Sequence, residues 1–396
     1  MHPSEEIYCE KSKRLRGKTI VIGMTGSIAV TECFALIREL IRHGAKIIPV
    51  MTPAAAKLVA PDAIEFACGM KPIIELSGQT EHIKFLGDST AADLFLVYPA
   101  TANTISKMAN GIDDTAVTSM ATVALGSGLP ILVAPAMHSM MYENPAVSAN
   151  IERLISWGVN MVGPHMDGGR AKVASREEVV AWAIRSLSRD DLNGKRILVV
   201  GGRSEEPIDS MRIITNRSTG LMSVILAARA FERGASVDMW MGACNVALPD
   251  YIPIRRFSTV SDLVKMVDTL DYDFVIVPAA LADFAPADFM EGKIPSDRKY
   301  DMMLNPVPKV IPLIRKKCEN VIGFKAESGL SHDKLIEKAR QRMEQYDLMA
   351  VVANDVDAVG KTASAAILIT PMMSKDLNDS KVVISDAILD LCAGKR

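Results

Sequence analysis

Two short stretches of this chain carry residues suited to gripping an anion. In "GMTGSIA", Gly23, Thr25, Gly26 and Ser27 stand where an apolar run gives way to a helical one. The amides and hydroxyls of such a strand-to-helix turn can take a phosphate at the helix N-terminus. The stretch is not GxGxxG, and the acidic ribose-binding residue of a dinucleotide site is replaced by "VMTPAA", with Thr52 at the strand end. That pattern favours a mononucleotide over NAD. In "NRSTG", Ser218, Thr219 and Gly220 precede a second helical run as its cap, and Arg212 and Arg217 bring positive charge beside it. A third oddity is His138, set between methionines in "PAMHSMM" directly after the apolar run "LPILVA".

The elements that must position these residues repeat once along the chain. "GKTIVIGMTGS" from Gly17 and "GKRILVVGGRS" from Gly194 are each a β-branched run feeding a glycine turn. Downstream, "AVTECFALIRELIRHG" predicts a helix ending at Gly44 before the strand "AKIIPVM". "LMSVILAARAFERG" likewise ends at Gly234 before "ASVDMWM". The second copy is 13 residues longer, measured from Lys195 to Gly234 against Lys18 to Gly44, and the excess is roughly "SEEPIDSMRIITN". Further runs, "DLFLVYPA", "LPILVAPA", "DFVIVPAA", "NVIGF" and "LMAVVAND", are short and continuously apolar, as strands covered on both faces are. Ligands of open parallel sheets bind beyond the strands' C-terminal ends, which points to "PATANT", "PAMHSMM", "PAALADF", "GFKAES" and "ANDVD". Any one of these segments reads equally well as a turn and helix cap; their joint occurrence favours sites. "REEVVAWAIRSLSRDDLNG" runs from an amphipathic helix into polar turn residues and sets a boundary near residue 190. The expected fold class is α/β, with two Rossmann-like open parallel-sheet domains over residues 1–190 and 191–396.

Bulk properties agree with two domains. The chain has 396 residues, 49% of them hydrophobic and 23% charged, with a mean hydropathy of +0.17; about 100–200 residues per domain is usual. No apolar run approaches the roughly 18 residues of a membrane span. The opening "MHPSEEIYCEKSKRLRGK" lacks an apolar signal region, so a cytoplasmic location is expected. The six cysteines form no CxxC pair, which suggests free thiols. A net charge of −2 with dispersed Lys and Arg argues against nucleic acid as a partner.

Together "GMTGSIA", "VMTPAA", "EHI" at His82, "YPATANTISKMANGIDD" and "PAMHSMMYENP" resemble the homo-oligomeric flavin-containing cysteine decarboxylases. The resemblance implies a flavoprotein-type first domain that holds FMN through Gly23, Thr25, Gly26, Ser27, Thr52, Thr101 and Asn103. It also implies an active-site histidine at His82. In that chemistry a flavin takes electrons as the substrate thiol becomes a thioaldehyde, after which CO2 is lost. His82 positions the carboxylate or manages a proton near neutral pH. The family's substrate-clamping segment reads PxMNxxMW; here Met137 is kept, His138 replaces the asparagine and Tyr142 the tryptophan. An imidazole N–H can still donate to a carboxylate. Bacterial members carry a cysteine in a mobile flap, whereas "GPHMDGGRAKVASREE" has none and offers Lys172 or Arg170.

The second half narrows the resemblance to the bifunctional phosphopantothenoylcysteine decarboxylase/phosphopantothenate–cysteine ligases of coenzyme A biosynthesis. The carrying stretches are "GGRSEEPIDSMRIITNRSTG", "PAALADF", "EGKI" and "GFKAES", and the 13-residue excess is the ligase signature. By resemblance, a nucleotide-binding ligase domain activates 4'-phosphopantothenate as an acyl nucleotidylate and joins it to cysteine. Lys293 neutralises charge at the attacked phosphorus, and Asn216, with Arg212, binds the acid and its acyl intermediate. Ala279, Ala280, Asp283 and Phe324 form the nucleotide pocket. Lys334 and Lys338 either cover the triphosphate or form one solvated helix face. "KIPSD" and "GKTASAAILI" depart from the family's usual text, which leaves CTP or ATP as the nucleotide; the bacterial pattern favours CTP, with Mg2+. The ligase step comes first, the FMN step then yields 4'-phosphopantetheine, and the family's trimers and pairs imply a dodecamer. Two rivals stand beside this: an active ligase with an altered flavoprotein half, and a flavin-binding regulatory protein.

Overall fold

The computed structural model describes residues 2–87, 92–167, 170–295, 297, 299–355 and 363–395. The chain folds as two compact units, Met1–Arg189 and Asp190–Arg396.

In the first unit five strands, β1 (Thr19–Met24), β2 (Lys46–Met51), β3 (Leu94–Ala100), β4 (Ile131–Pro135) and β5 (Asn160–Met161), form one sheet in the order β2-β1-β3-β4-β5. Every pairing is parallel. The alternation of side chains along a strand explains why the runs are apolar throughout. Ile20, Ile22 and Met24 of β1 pack on one face with Leu36, Ile37 and Leu40 of the Cys33–Arg42 helix, while Val21 joins Phe95, Val97, Ile105 and Met120 on the other. Each such fully buried side chain contributes about 1.5–3 kcal/mol relative to exposure. The helix expected after "GMTGS" opens with a 3₁₀ turn, Ile28–Glu32, before the α-helix Cys33–Arg42.

The second unit's main sheet contains β6 (Arg196–Gly201), β7 (Ser236–Met241), β8 (Ile254–Arg256), β9 (Phe274–Val277), β10 (Val321–Glu327), β11 (Ala350–Asp355), β12 (Ala363–Ile369) and β13 (Ser374–Ser380). Their order is β8-β7-β6-β9-β10-β11-β12-β13. The strands from β8 to β11 pair in parallel, but β12 and β13 each join antiparallel, so the open parallel sheet gains an antiparallel edge. The serine-, asparagine- and aspartate-rich text of β13 gave no strand signal, as befits an edge with one solvated face. The 13-residue excess folds out as a hairpin of Glu205–Pro207 and Ile213–Thr215, and Phe284–Pro286 pairs with Leu304–Pro306 in another. Among the described residues, no helix is long and apolar enough to cross a membrane.

Candidate active sites in the two units

Parallel pairing brings the loops after β1, β2, β3 and β4 to one edge of the first sheet. Gly23, Thr25, Gly26 and Ser27 therefore share that edge with Thr52, Thr101, Asn103, Met137 and His138. Thr25 is fully buried, and its hydroxyl donates to the Pro99 carbonyl (2.6 Å) while accepting from the Thr101 amide (3.0 Å). The Thr25 side chain is thus a tie between two loops rather than an open ligand. A Cβ on Gly26 would lie 2.7 Å from Cβ of Ala54, and one on Gly23 would meet Val117 at 3.0 Å, so both glycines permit close approach. Thr52 and Thr101 cap the helices Pro53–Ala56 and Ala102–Asn110 through the amides of Ala55 (3.2 Å) and Thr104 (3.3 Å). Ser27 precedes the 3₁₀ turn without a capping hydrogen bond, and Asn103 is exposed on its helix.

His82 lies on the helix Glu81–Leu86, which packs against the Ala116–Ser127 helix. Its Nδ1 is buried without a hydrogen-bond partner; buried polar atoms are normally satisfied, so an orphan calls for a ligand or proton partner. Exposed His138 caps the helix Ser139–Tyr142, its Nδ1 accepting from the Met140 amide at 3.3 Å. With Nδ1 accepting, the neutral ring carries its proton on Nε2. Met137 and Tyr142 pack at the edge of the core. In "GPHMDGGRAKVASREE", Lys172 is exposed, Gly168 and Gly169 lie outside the described residues, and so does the side chain of Arg170.

In the second unit the "GGRS" turn organises the site. A Cβ on Gly201 would fall 2.2 Å from Ser223 Oγ, so glycine lets the Leu221–Glu232 helix begin directly against the turn. Gly202 accepts from the Ala280 amide (2.8 Å), and Ser204 Oγ accepts from Ala282 (2.9 Å), which pins the "PAALA" loop. Asn216 donates to the Ala280 carbonyl (3.2 Å). The helix cap itself is Gly220, with φ +80 and no side-chain cap; the hydroxyls of Ser218 and Thr219 accept from Gly220 and Leu221 at 3.4 Å. Arg203 holds the turn from behind through the Ser218 carbonyl (2.9 Å) and Asn245 (2.6 Å).

These elements enclose a cavity of about 440 Å³, a size suited to a small-molecule ligand. Asn216, Ala279, Ala280, Asp283 and Phe324 all line it. So do four cations that sequence reasoning missed: Lys309, Lys325, Arg342 and Lys381. Lys309 pairs with Asp283, Lys325 pairs with Glu327 (2.8 Å), and Arg342 lies 5.1 Å from the centre of the Tyr346 ring. Lys325 stood in plain sight in "GFKAES", whereas nothing in "SKVVISDAIL" singled out Lys381.

Lys293, Arg212, Lys334 and Lys338 are not part of that lining. Lys293 is exposed on a loop fixed to the ligase-signature excess. Asp209 accepts from the Ile294 amide (3.0 Å), and Arg212 donates both to Asp209 (2.6 Å) and to the Ile294 carbonyl (3.1 Å). Ser210 and Gly292 exchange two further bonds. The Ile294 N–H, then those of Met211 and Arg212, hold the Asp209 carboxyl down at about 2. Lys334 and Lys338 are exposed beside the buried Leu335, Ala339 and Met343 of the His332–Tyr346 helix; Lys338 approaches Glu327 at 3.5 Å. Gly360 to Thr362 of "GKTASAAILI", Ser296 of "KIPSD" and the last two residues of "ANDVD" lie outside the described residues.

The Flavoprotein family matches residues 9–188, and the DNA/pantothenate metabolism flavoprotein C-terminal domain matches residues 192–394. The chain is 42% identical over 385 residues to the coenzyme A biosynthesis bifunctional protein CoaBC of Thermococcus kodakarensis, covering 95% of each. It is 34% identical over 398 residues to its namesake in Methanocaldococcus jannaschii, covering 98% of this chain and 97% of that one. The chain belongs to this family of bifunctional coenzyme A biosynthesis proteins. It is an enzyme with a decarboxylase and a ligase activity. Among solved structures, the DNA/pantothenate metabolism flavoprotein of Streptococcus pneumoniae is 22% identical, covering 51% of this chain and all of that one, with a TM-score of 0.47.

Proposed function

We propose that residues 191–396 join cysteine to 4'-phosphopantothenate and that residues 1–190 then decarboxylate the product to 4'-phosphopantetheine, in the cytoplasm. The observation that carries this reading is the second-unit cavity, where Asn216, Ala279, Ala280, Asp283 and Phe324 meet beside a helix N-terminus. A carboxylate does not lose oxide to an amine. Its oxygen instead attacks the α-phosphorus of CTP, pyrophosphate leaves, and the cysteine amine then displaces CMP from the acyl carbon. Lys293 offsets the charge gathering at phosphorus, and Asn216 donates to the acid or its acyl intermediate. Mg2+ would travel with the triphosphate, since magnesium is held largely through substrate phosphates and water.

The first unit's residues suit a flavin phosphate. Gly23 and Gly26 allow the turn to sit close, Ser27 has no capping duty, and the His82 Nδ1 waits unpaired. FMN would supply the two-electron oxidation of the substrate thiol, held through Gly23, the Thr25 backbone, Gly26, Ser27, Thr52, Thr101 and Asn103. His138 donates through Nε2 to the substrate carboxylate, with Met137 beside it, and His82 moves a proton. Lys172 or Arg170 closes over the substrate in place of a flap cysteine. Exposed Ile28, Met140 and Met141 in the first unit, and Met211, Ile213, Phe284 and Phe289 in the second, support self-association into a dodecamer of trimers and pairs.

Purified protein incubated with 4'-phosphopantothenate, cysteine and CTP should release pyrophosphate and CO2 in equal amounts, with ATP a poorer nucleotide. His138 and the cysteine-free flap favour a second reading, an active ligase with an altered flavoprotein half. Pyrophosphate without CO2 would establish that alternative.

A further inference from the structure

Lys381 opens the helix Lys381–Cys392, behind the cap Ser380. That is an unusual place for a cation. The N-terminal end of a helix is its positive end, where acidic side chains are favoured, and Lys381 is only 8% exposed. Burial alone pulls its pKa down. Yet the residue lines the second-unit cavity together with Asn354, Ala366 and Ile384.

Topology explains why it arrives there. β12 and β13 are both antiparallel to their predecessors, so β13 runs in the direction of β11, and the helix it feeds begins at the edge where β9, β10 and β11 end. The Leu221–Glu232 helix begins at the same cavity and packs against the Lys381–Cys392 helix. Two positive helix ends and a buried ammonium therefore converge on one wall. All three present positive charge to the cavity, and an anion seated there is attracted by each.

We infer that the Lys381 ammonium binds an anionic oxygen of a ligase substrate in this cavity, either a phosphate of the nucleoside triphosphate or the carboxylate or phosphate of the acid. The inference rests on the ligase reading above. Its test is calorimetric titration of the full chain, wild type against Lys381→Met and Lys381→Arg, with CTP alone and with 4'-phosphopantothenate alone. Lys381→Met keeps an apolar stem of similar shape but no charge. It should weaken one of the two ligands at least about tenfold, the loss expected from a charged hydrogen-bonding partner, while Lys381→Arg keeps most of the affinity. The ligand that suffers names the source of the anion. Thermal unfolding of the ligand-free variants separates a structural role: a Lys381→Met protein that melts much lower while binding both ligands as the wild type does overturns the inference. Should that variant not fold, Lys381→Gln takes its place. A wild type that binds neither ligand and releases no pyrophosphate sinks the ligase reading and the inference with it. A wild type that binds both, beside a variant that binds both equally well, sinks the inference alone.

Discussion

Replacing Thr25 by valine removes one hydroxyl and almost no volume. The Pro99 carbonyl then loses its donor and the Thr101 amide its acceptor, both beside a fully buried side chain. A buried polar group left unpaired costs about 1–3 kcal/mol, so two of them should cost at least about 2 kcal/mol. For a unit of this size, 1 kcal/mol moves Tm by roughly 2–4 °C, which makes the expected fall at least about 4 °C. The same tie joins the loop carrying Gly26 and Ser27 to the one carrying Thr101 and Asn103, so flavin retention should fall with stability. Thermal unfolding, with visible flavin absorbance per chain after gel filtration, measures both. Thr25→Ser keeps the hydroxyl and should lose only a methyl's packing. A Thr25→Val protein that melts within about 1 °C of wild type and stays fully yellow would refute the tie, because neither polar group can then depend on that hydroxyl.

Gly26→Ala sets a methyl 2.7 Å from Cβ of Ala54 and should reduce bound flavin several-fold without abolishing pyrophosphate release, as absorbance and a coupled pyrophosphate assay would register. Gly201→Ala drives a methyl to 2.2 Å from Ser223 Oγ and should do the reverse, impairing the ligase while the protein stays yellow. Asp209→Asn cannot accept all the donors that converge on the carboxylate, so the loop bearing Lys293 should loosen, and kcat for pyrophosphate release should fall more than nucleotide KM rises. Because the folded Asp209 carboxyl sits near 2, below its unfolded value, its stabilisation is present above about pH 4 and is lost as pH falls through about 2. The stability gap between wild type and Asp209→Asn should accordingly shrink between pH 5 and pH 2 in denaturant titrations.

The parallel core was legible in the sequence because strands covered on both faces cannot alternate. "TIVIGM", "LFLVYPA" and "RILVVG" are apolar at every pleat, and each became a central strand. The edge was not legible: Ser374–Ser380 is polar text that pairs through its backbone, which residue type does not announce. In the sites, the glycine turns and the "PAALADF" loop stood out because close backbone approach demands small residues. What Thr25 and Arg212 touch could not be read off, since a hydroxyl's or guanidinium's partner depends on segments distant along the chain, Pro99 in one case and Ile294 in the other. Lys381 was hidden for the same reason. Its helix reads as an ordinary apolar stretch, and only the antiparallel turn of β12 and β13 carries it back to the cavity.

Each unit is proposed to carry one reaction, and the most direct measurement separates the two with two variants of the full chain. Lys293→Gln should release no pyrophosphate from CTP and 4'-phosphopantothenate yet still free CO2 from supplied phosphopantothenoylcysteine, whereas His82→Asn should do the opposite. If Lys293→Gln lost CO2 release from the supplied intermediate, or His82→Asn lost pyrophosphate release, while both proteins remained folded and yellow, the division of labour between the units would be contradicted.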